Sequence, residues 1–226
     1  MLLLWFVLTC LAFFIGALPL GMLLLRVAGL SDVRESGSGN PGATNVARHH
    51  GLKWGAAVWL LDTLKGVLVV SLALLWMPAV LPVMAVAVVA GHIFSPFLRF
   101  AGGKGMATTL GVYLSALPLV GVLGLIAWLV GFGLFRRSSV GAFVALGVMA
   151  LASSWRFATG ALLLQISPIH SLWADPSMAW AFVGTIPLLV LAAHKDNIKR
   201  LATGQEAPLT KGTKAAKGGL GDDKRK

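Results

Sequence analysis

Met106–Phe135 reads MATTLGVYLSALPLVGVLGLIAWLVGFGLF, without a single charge, and how it crosses a bilayer decides the fold. As one continuous helix it is about 45 Å long, whereas a ~30 Å hydrocarbon core needs only about 20 residues. Pro118 and Gly121 interrupt it near the middle, where a proline removes a helix hydrogen bond. Read as one crossing, the run puts Arg136 and Arg137 outside and carries the basic C-terminus outside too. Read as two short, tilted helices or a re-entrant hairpin, it returns both arginines to the cytoplasm. The second reading gathers 17 of the 19 Lys and Arg on the cytoplasmic side, all but Lys65 and Arg156. The positive-inside bias favours it.

Working outward, further apolar runs cover roughly 1 to 25, 54 to 77, 79 to 98, 138 to 155 and 178 to 194. Mean hydropathy is +0.83, 57% of residues are hydrophobic and 12% are charged, far from the composition of a soluble domain. The expectation is an all-α polytopic membrane protein of about seven transmembrane helices, the fourth and fifth short. Met1–Leu25 carries no charge and Arg26 follows it, so a retained first helix with the N-terminus outside is predicted, not a cleaved signal. The C-terminus then falls in the cytoplasm.

Net charge is +11 and the pI about 10.6. A polytopic protein with basic cytoplasmic loops accounts for both, so nucleic-acid binding is not indicated. Cys10, alone and in an apolar run, excludes a disulfide framework or a cysteine metal site. Residues 1–206 read as one transmembrane domain, and 207–226, small and charged, as a disordered basic tail near anionic lipid.

This topology brings three polar segments, 31–53, 91–108 and 194–206, to one face. In GSGNPGATNVARHHG, Gly37, Gly39 and Gly42 allow positive φ and close backbone approach, so successive N–H groups can cup an anion. Ser38, Asn40, Thr44 and Asn45 add neutral donors, and Arg48 adds a forked cation suited to phosphate. The plain alternative is a glycine-rich connector whose arginine reaches lipid headgroups. In GHIFSPFLRFAGGKGMATTLG, Gly102, Gly103 and Gly105 surround Lys104 just before a helix, so N–H groups and a lysine converge on a helix N-terminus. It is no Walker A loop, because Gly105 stands where Ser or Thr must hold magnesium. In HKDNIKRLATGQE, helical spacing puts His194, Asn197 and Leu201 on one face, while Lys195, Lys199 and Arg200 suit lipid phosphates.

Asp62 and Lys65 lie three apart inside the second span, where isolated charges are costly; bracing of helices is the favoured reading. His170 and Asp175 have the five-residue offset of acyl-CoA acyltransferases, but fall on the outer face, and no catalytic role is assigned to them.

Together, DVRESGSGNPGATNVAR, GHIFSPFLRFAGGKGMAT and HKDNIKRLATGQE resemble, in order and spacing over residues 32–206, the three signature motifs of the bacterial acyl-phosphate:glycerol-3-phosphate acyltransferases; LDTLKG, at 61–66, looks like a further element. The resemblance implies a seven-helix enzyme of the bacterial inner membrane, active site facing the cytoplasm. It would move a fatty acyl group from acyl phosphate, not from acyl-CoA or acyl carrier protein, to the 1-hydroxyl of sn-glycerol 3-phosphate. The products would be lysophosphatidic acid and phosphate, the first acylation of phospholipid biosynthesis. Ser38, Arg48, Lys104, His194 and Asn197 would be catalytic. Gly37, Gly39, Asn40, Thr44, Asn45, His92, Ser95, Gly102, Gly103, Gly105, Thr108 and Ser139 would bind substrate. Ser139 matches one serine of the family's next helix, while Ala142 stands in place of another.

The residues suit this chemistry. Two phosphate substrates need two anion pockets, and an activated donor needs neither ATP nor a protein nucleophile. His194 is the base best placed by residue type; a substrate phosphate is the second candidate, and a Ser38 acyl-enzyme the third. No cofactor and no metal are expected. The basic face is a candidate docking surface for an acyl-phosphate-producing enzyme. The rival reading is a small-anion transporter, against which stands the lack of an internal repeat. A lipid-binding scaffold would leave the three motifs unexplained.

Overall fold

The computed structural model describes residues 1–159 and 178–209. The segment that holds His170 and Asp175, and the chain beyond 209, lie outside the described residues. The described elements are helical: α1 (Leu2–Ala17), α2 (Leu20–Val27), α3 (Ala43–His50), α4 (Leu52–Trp76), α5 (Leu81–Ile93), α6 (Met106–Ala116), α7 (Pro118–Phe135), α8 (Ser138–Thr159), α9 (Ile186–Ala193) and α10 (Lys195–Ala202). Among the described residues, five segments are long and apolar enough to cross a membrane, Leu2–Val27, Leu52–Trp76, Pro78–Leu98, Pro118–Phe135 and Ser138–Thr159, and Met106–Ala116 and Trp180–Ala193 are shorter apolar helices. The chain is an all-α integral membrane protein.

The run that decided the topology breaks at Leu117, with Pro118 opening α7, where its missing N–H would have had no partner. The chain folds sharply there: a Cβ on Gly121 would lie 2.6 Å from the backbone nitrogen of Leu114. Of the two helices, α6 is the short one, with 11 residues. α7 has 18, about 27 Å at 1.5 Å per residue, and so is nearly as long as the core is thick.

Glycine pairs set the closest helix crossings, as small residues do where lipid supplies no hydrophobic drive between helices. A Cβ on Gly16 would lie 2.0 Å from Val88 O, and one on Gly91 2.0 Å from Phe13 O, which locks α1 to α5. Gly66 and Gly111 join α4 to α6 in the same way, against Thr108 O and Thr63 O. Gly131 and Gly141 bring α7 onto α8. The core they surround includes Val69, Val88, Tyr113, Met149 and Phe182, all fully buried. Before α9, Trp180–Thr185 widens into a π-helical turn, and Tyr113 Oη donates to Phe182 O within it.

Short connections bring the polar segments together. Thr44 Oγ1 and Ser138 Oγ are 2.9 Å apart, Arg137 Nε donates to Glu206 O at 2.8 Å, and Leu209 N donates to Arg136 O at 2.8 Å. The α7–α8 turn therefore sits beside the first and third polar segments on one face. Ala207 O accepts from Arg48 on this face as well.

Candidate active site

The face opens into a cavity of about 120 Å³. Eleven expected site residues line it: Ser38, Asn40, Thr44, Asn45, Arg48, His92, Lys104, Gly105, Ser139, His194 and Asn197. Gly37, Gly39, Ser95, Gly102, Gly103 and Thr108 do not.

The first segment is shaped by its own side chains. Gly37 and Gly39 sit at φ 61° and 67°, where a Cβ is strained. Between them Ser38 is held by its N–H to Asn45 Oδ1 at 3.3 Å. Asn45, buried at the start of α3, donates to Val33 O at 2.8 Å and Ser36 O at 3.3 Å, so its amide staples the loop and is not a free donor. Asn40 Oδ1 accepts from Gly42 N at 2.9 Å. The groups left for a ligand are Ser38, the amide nitrogen of Asn40, Thr44 and Arg48. Arg48 donates through Nη2 to Ala207 O at 3.1 Å, and its buried Nε has no partner in the described residues. Burial lowers its pKa from the ordinary arginine value.

The second segment works differently from the expectation. Gly102 N donates to Ile93 O and Gly103 N to His92 O, both at 3.1 Å, so neither N–H is free to cradle phosphate. These glycines are small because the chain doubles back on α5: a Cβ on Gly102 would lie 2.1 Å from His92 O, and one on Gly103 2.1 Å from His92 Nε2. Lys104 and the first turn of α6 are what this loop offers the cavity, with Gly105, Met106 and Ala107 in its wall. The first N–H groups of a helix lack intrahelical partners and carry its positive pole. Lys104 Nζ donates to Asn197 Oδ1. Burial first, then the neighbouring Arg200, pushes Lys104 down to about 8. Ser95 Oγ donates to Ala17 O at 2.6 Å, and Thr108 Oγ1 to Asp62 O at 3.0 Å; both hydroxyls are committed to helix packing.

The third segment closes the cavity. His194 Nδ1 lies 2.8 Å from Val190 O. A carbonyl only accepts, so Nδ1 carries the proton and Nε2 the lone pair. Burial pushes His194 down to about 4, which leaves it neutral at pH 7. Helix α10 ends at Ala202, and Gly204 just beyond it, φ 71°, lets Gln205 N and Glu206 N both return to Arg200 O, a turn that glycine favours. It swings Glu206 back under the helix, to accept from Asn197 Nδ2 at 2.6 Å, Ser139 Oγ at 2.9 Å and Arg200 Nε at 2.7 Å. Burial works to raise the Glu206 pKa, but the hydrogen bonds from Arg200, Asn197 and Ser139 outweigh it and hold it below the usual value.

Sequence reasoning missed Arg200 and Glu206. By residue type Arg200 suits lipid phosphates as Lys195 and Lys199 do; those two lysines are exposed, but Arg200 is half-buried and lines the cavity. The signal lay in the helix stop at Gly204 with a carboxylate two residues on. Ser138, Trp59 and Trp128 also line the cavity. Ala142, at the position of the family's other serine, is a buried wall residue.

The described residues make up an integral membrane protein whose larger cavity lies at the level of its polar loops, the wall carrying Arg48, Lys104, Arg200, a neutral histidine and a helix N-terminus. A family model described as Glycerol-3-phosphate acyltransferase matches residues 6–204, and the chain belongs to that family. The glycerol-3-phosphate acyltransferase of Sinorhizobium medicae is 38% identical over 204 residues, 89% of this chain and 92% of the relative. That of Sulfurimonas denitrificans is 40% identical over 210 residues, covering 86% and 91%. The crystal structure of PlsY (YgiH), an integral membrane glycerol 3-phosphate acyltransferase in its glycerol 3-phosphate form, superposes with a TM-score of 0.74 at 33% identity, over 90% of this chain and 94% of that one. Its lysophosphatidic acid form gives 0.71 at 32% identity.

Proposed function

We propose that this protein transfers a fatty acyl group from acyl phosphate to the 1-hydroxyl of sn-glycerol 3-phosphate, giving lysophosphatidic acid and phosphate. The observation that carries this reading is the convergence of Arg48, Lys104 and Arg200 on one cavity that is apolar on its α4–α7 side, at Trp59, Leu110, Leu125 and Trp128. Two phosphates and an acyl chain need that combination, and relatives with the corresponding names support it.

Lys104 and Arg48 neutralise the phosphates, and the N–H groups opening α6 face the carbonyl oxygen as it gains charge; one such donor is worth about 3–4 kcal/mol. The glycerol oxygen attacks the acyl carbon, the C–O bond to phosphate breaks with its electron pair, and the hydroxyl proton ends on the departing phosphate. His194, pushed to about 4, is a weaker base than a phosphate with a second pKa of about 6, so it orients the hydroxyl through Nε2. Asn197 holds Lys104, and Ser38 and Thr44 hydrogen-bond substrate.

Residues 1–206 act as one catalytic domain in the bacterial inner membrane, N-terminus outside and cavity facing the cytoplasm. The basic tail beyond meets anionic lipid, and the enzyme that makes acyl phosphate docks on the basic face. The positive-inside rule supports this orientation. The test is lysophosphatidic acid formation by purified protein, comparing palmitoyl phosphate with palmitoyl-CoA. Turnover of the phosphate alone is expected; turnover of the thioester, or of neither donor by folded protein, contradicts the proposal.

A further inference from the structure

The buried charges of α4 are not used in the transfer just described. Asp62 and Lys65 pair at 2.9 Å. Lys65 Nζ also donates to Gly16 O at 3.3 Å, where α1 breaks before Pro19. The last carbonyls of a broken helix need partners inside a membrane, so Lys65 and Ser95 have a packing role at that break. Asp62 differs from them. It lines both the large cavity and a smaller one beside it, and His92 lines both as well.

From Asp62 a line of contacts runs to Lys104. Thr108 Oγ1 donates its one proton to Asp62 O at 3.0 Å and lies 3.2 Å from His92 Nδ1. It therefore accepts from His92, whose proton is on Nδ1. The same nitrogen is 3.6 Å from Asp62 Oδ1. His92 in turn holds the residue before Lys104 twice, by its carbonyl to Gly103 N at 3.1 Å and by its ring, packed so closely that a Cβ on Gly103 would lie 2.1 Å from Nε2. A turned ring would collide with Gly103, the residue before Lys104.

We propose that Asp62, Thr108 and His92 are positioning residues for Lys104, fixing its ammonium at the substrate phosphate by way of Gly103. The inference rests on the acyltransferase reading. It assigns the fully buried Thr108 to the loop behind the lysine and not to substrate.

The charged groups acting on Lys104 are Arg48 from α3, and Arg200, Asp196 and Glu206 from α10 and the turn after it. None is altered by the variants used here. The experiment measures kcat and KM for glycerol 3-phosphate, with palmitoyl phosphate as donor, from pH 6 to 10 in wild type, Thr108→Val, Thr108→Ser and Asp62→Asn. Valine keeps the shape of threonine without the hydroxyl; serine keeps the hydroxyl. In Thr108→Val, KM should rise about tenfold while kcat changes less than about twofold, because uniform binding is what is lost. The alkaline limb of kcat/KM should move up as Lys104 gains water. Thr108→Ser should restore both values, and Asp62→Asn, which keeps the carbonyl that Thr108 bonds and loses only the carboxylate 3.6 Å from His92, should move both in the same direction by less. An unchanged KM and limb in Thr108→Val and Asp62→Asn, with loss only in kcat or in folded protein, overturns the proposal, as does failure of serine to rescue. If Thr108→Val does not fold, Asp62→Asn decides by the same two readouts. A wild type inactive with acyl phosphate sinks the acyltransferase reading instead.

Discussion

The two glycine-bearing segments, 37–51 and 91–105, read alike in sequence, and the structure uses their glycines for opposite purposes. In the first, Gly37 and Gly39 bend the backbone at positive φ and have Ser38 between them at the cavity. In the second, Gly102 and Gly103 let the chain lie against α5, and their N–H groups bond to its last carbonyls. The first loop presents several neutral groups and one arginine; the second presents one lysine and a helix end. Glycine before a lysine is thus no sign of a phosphate cradle when the preceding helix supplies the carbonyls.

This contrast can be broken at several points. The largest effect is expected from Lys104→Ala, which removes the cation the second loop gives the cavity: kcat/KM should fall by about 10²–10³, measured as lysophosphatidic acid formed, with the melting temperature kept. Next comes Gly102→Ala, whose Cβ would meet His92 O at 2.1 Å. Overpacking of that kind costs about 1–3 kcal/mol or more, visible as a lower melting temperature in detergent. Asn45→Ala should release the first loop, leaving Val33 O and Ser38 N unpartnered at about 1–3 kcal/mol, with a higher KM for glycerol 3-phosphate.

The pH profile sharpens the contrast further. Lys104, pushed down to about 8, is charged below that pH and loses its charge above it. kcat/KM should therefore hold up to about 8 and then fall about tenfold per unit, a limb that Lys104→Arg should move out of range because the guanidinium stays charged. His194 stays neutral across this window and should add no limb near the ordinary histidine value. The smallest effect is expected from Gly39→Ala, where φ is 67° but the nearest atom to the new Cβ is 3.5 Å away. Strain alone is about 1–2 kcal/mol, seen as a small drop in melting temperature.

Much of the fold was legible because span length, Pro118 and the distribution of Arg and Lys are one-dimensional signals. The break at Leu117 followed from them. That only α6 is short did not follow, because Arg136 and Arg137 fall on the same side whether the second helix is short or, like α7, 18 residues long. In the site, Ser38, Arg48, Lys104, His194 and Asn197 carry donors and charges that announce themselves by type. Glu206 did not, because it reaches Ser139 only through the turn at Gly204, and Thr108 looked like a ligand group because its bonds to Asp62 and His92 cross between helices.

The most direct test of the account is calorimetric titration of glycerol 3-phosphate into the solubilised protein, comparing wild type with Arg48→Ala and Lys104→Ala. A lost charge-assisted hydrogen bond is worth about 1.5–3 kcal/mol. Each variant should bind at least tenfold more weakly while remaining folded. Undiminished affinity in both would contradict the account, since the phosphate would then be held by something other than the cations that meet in this cavity.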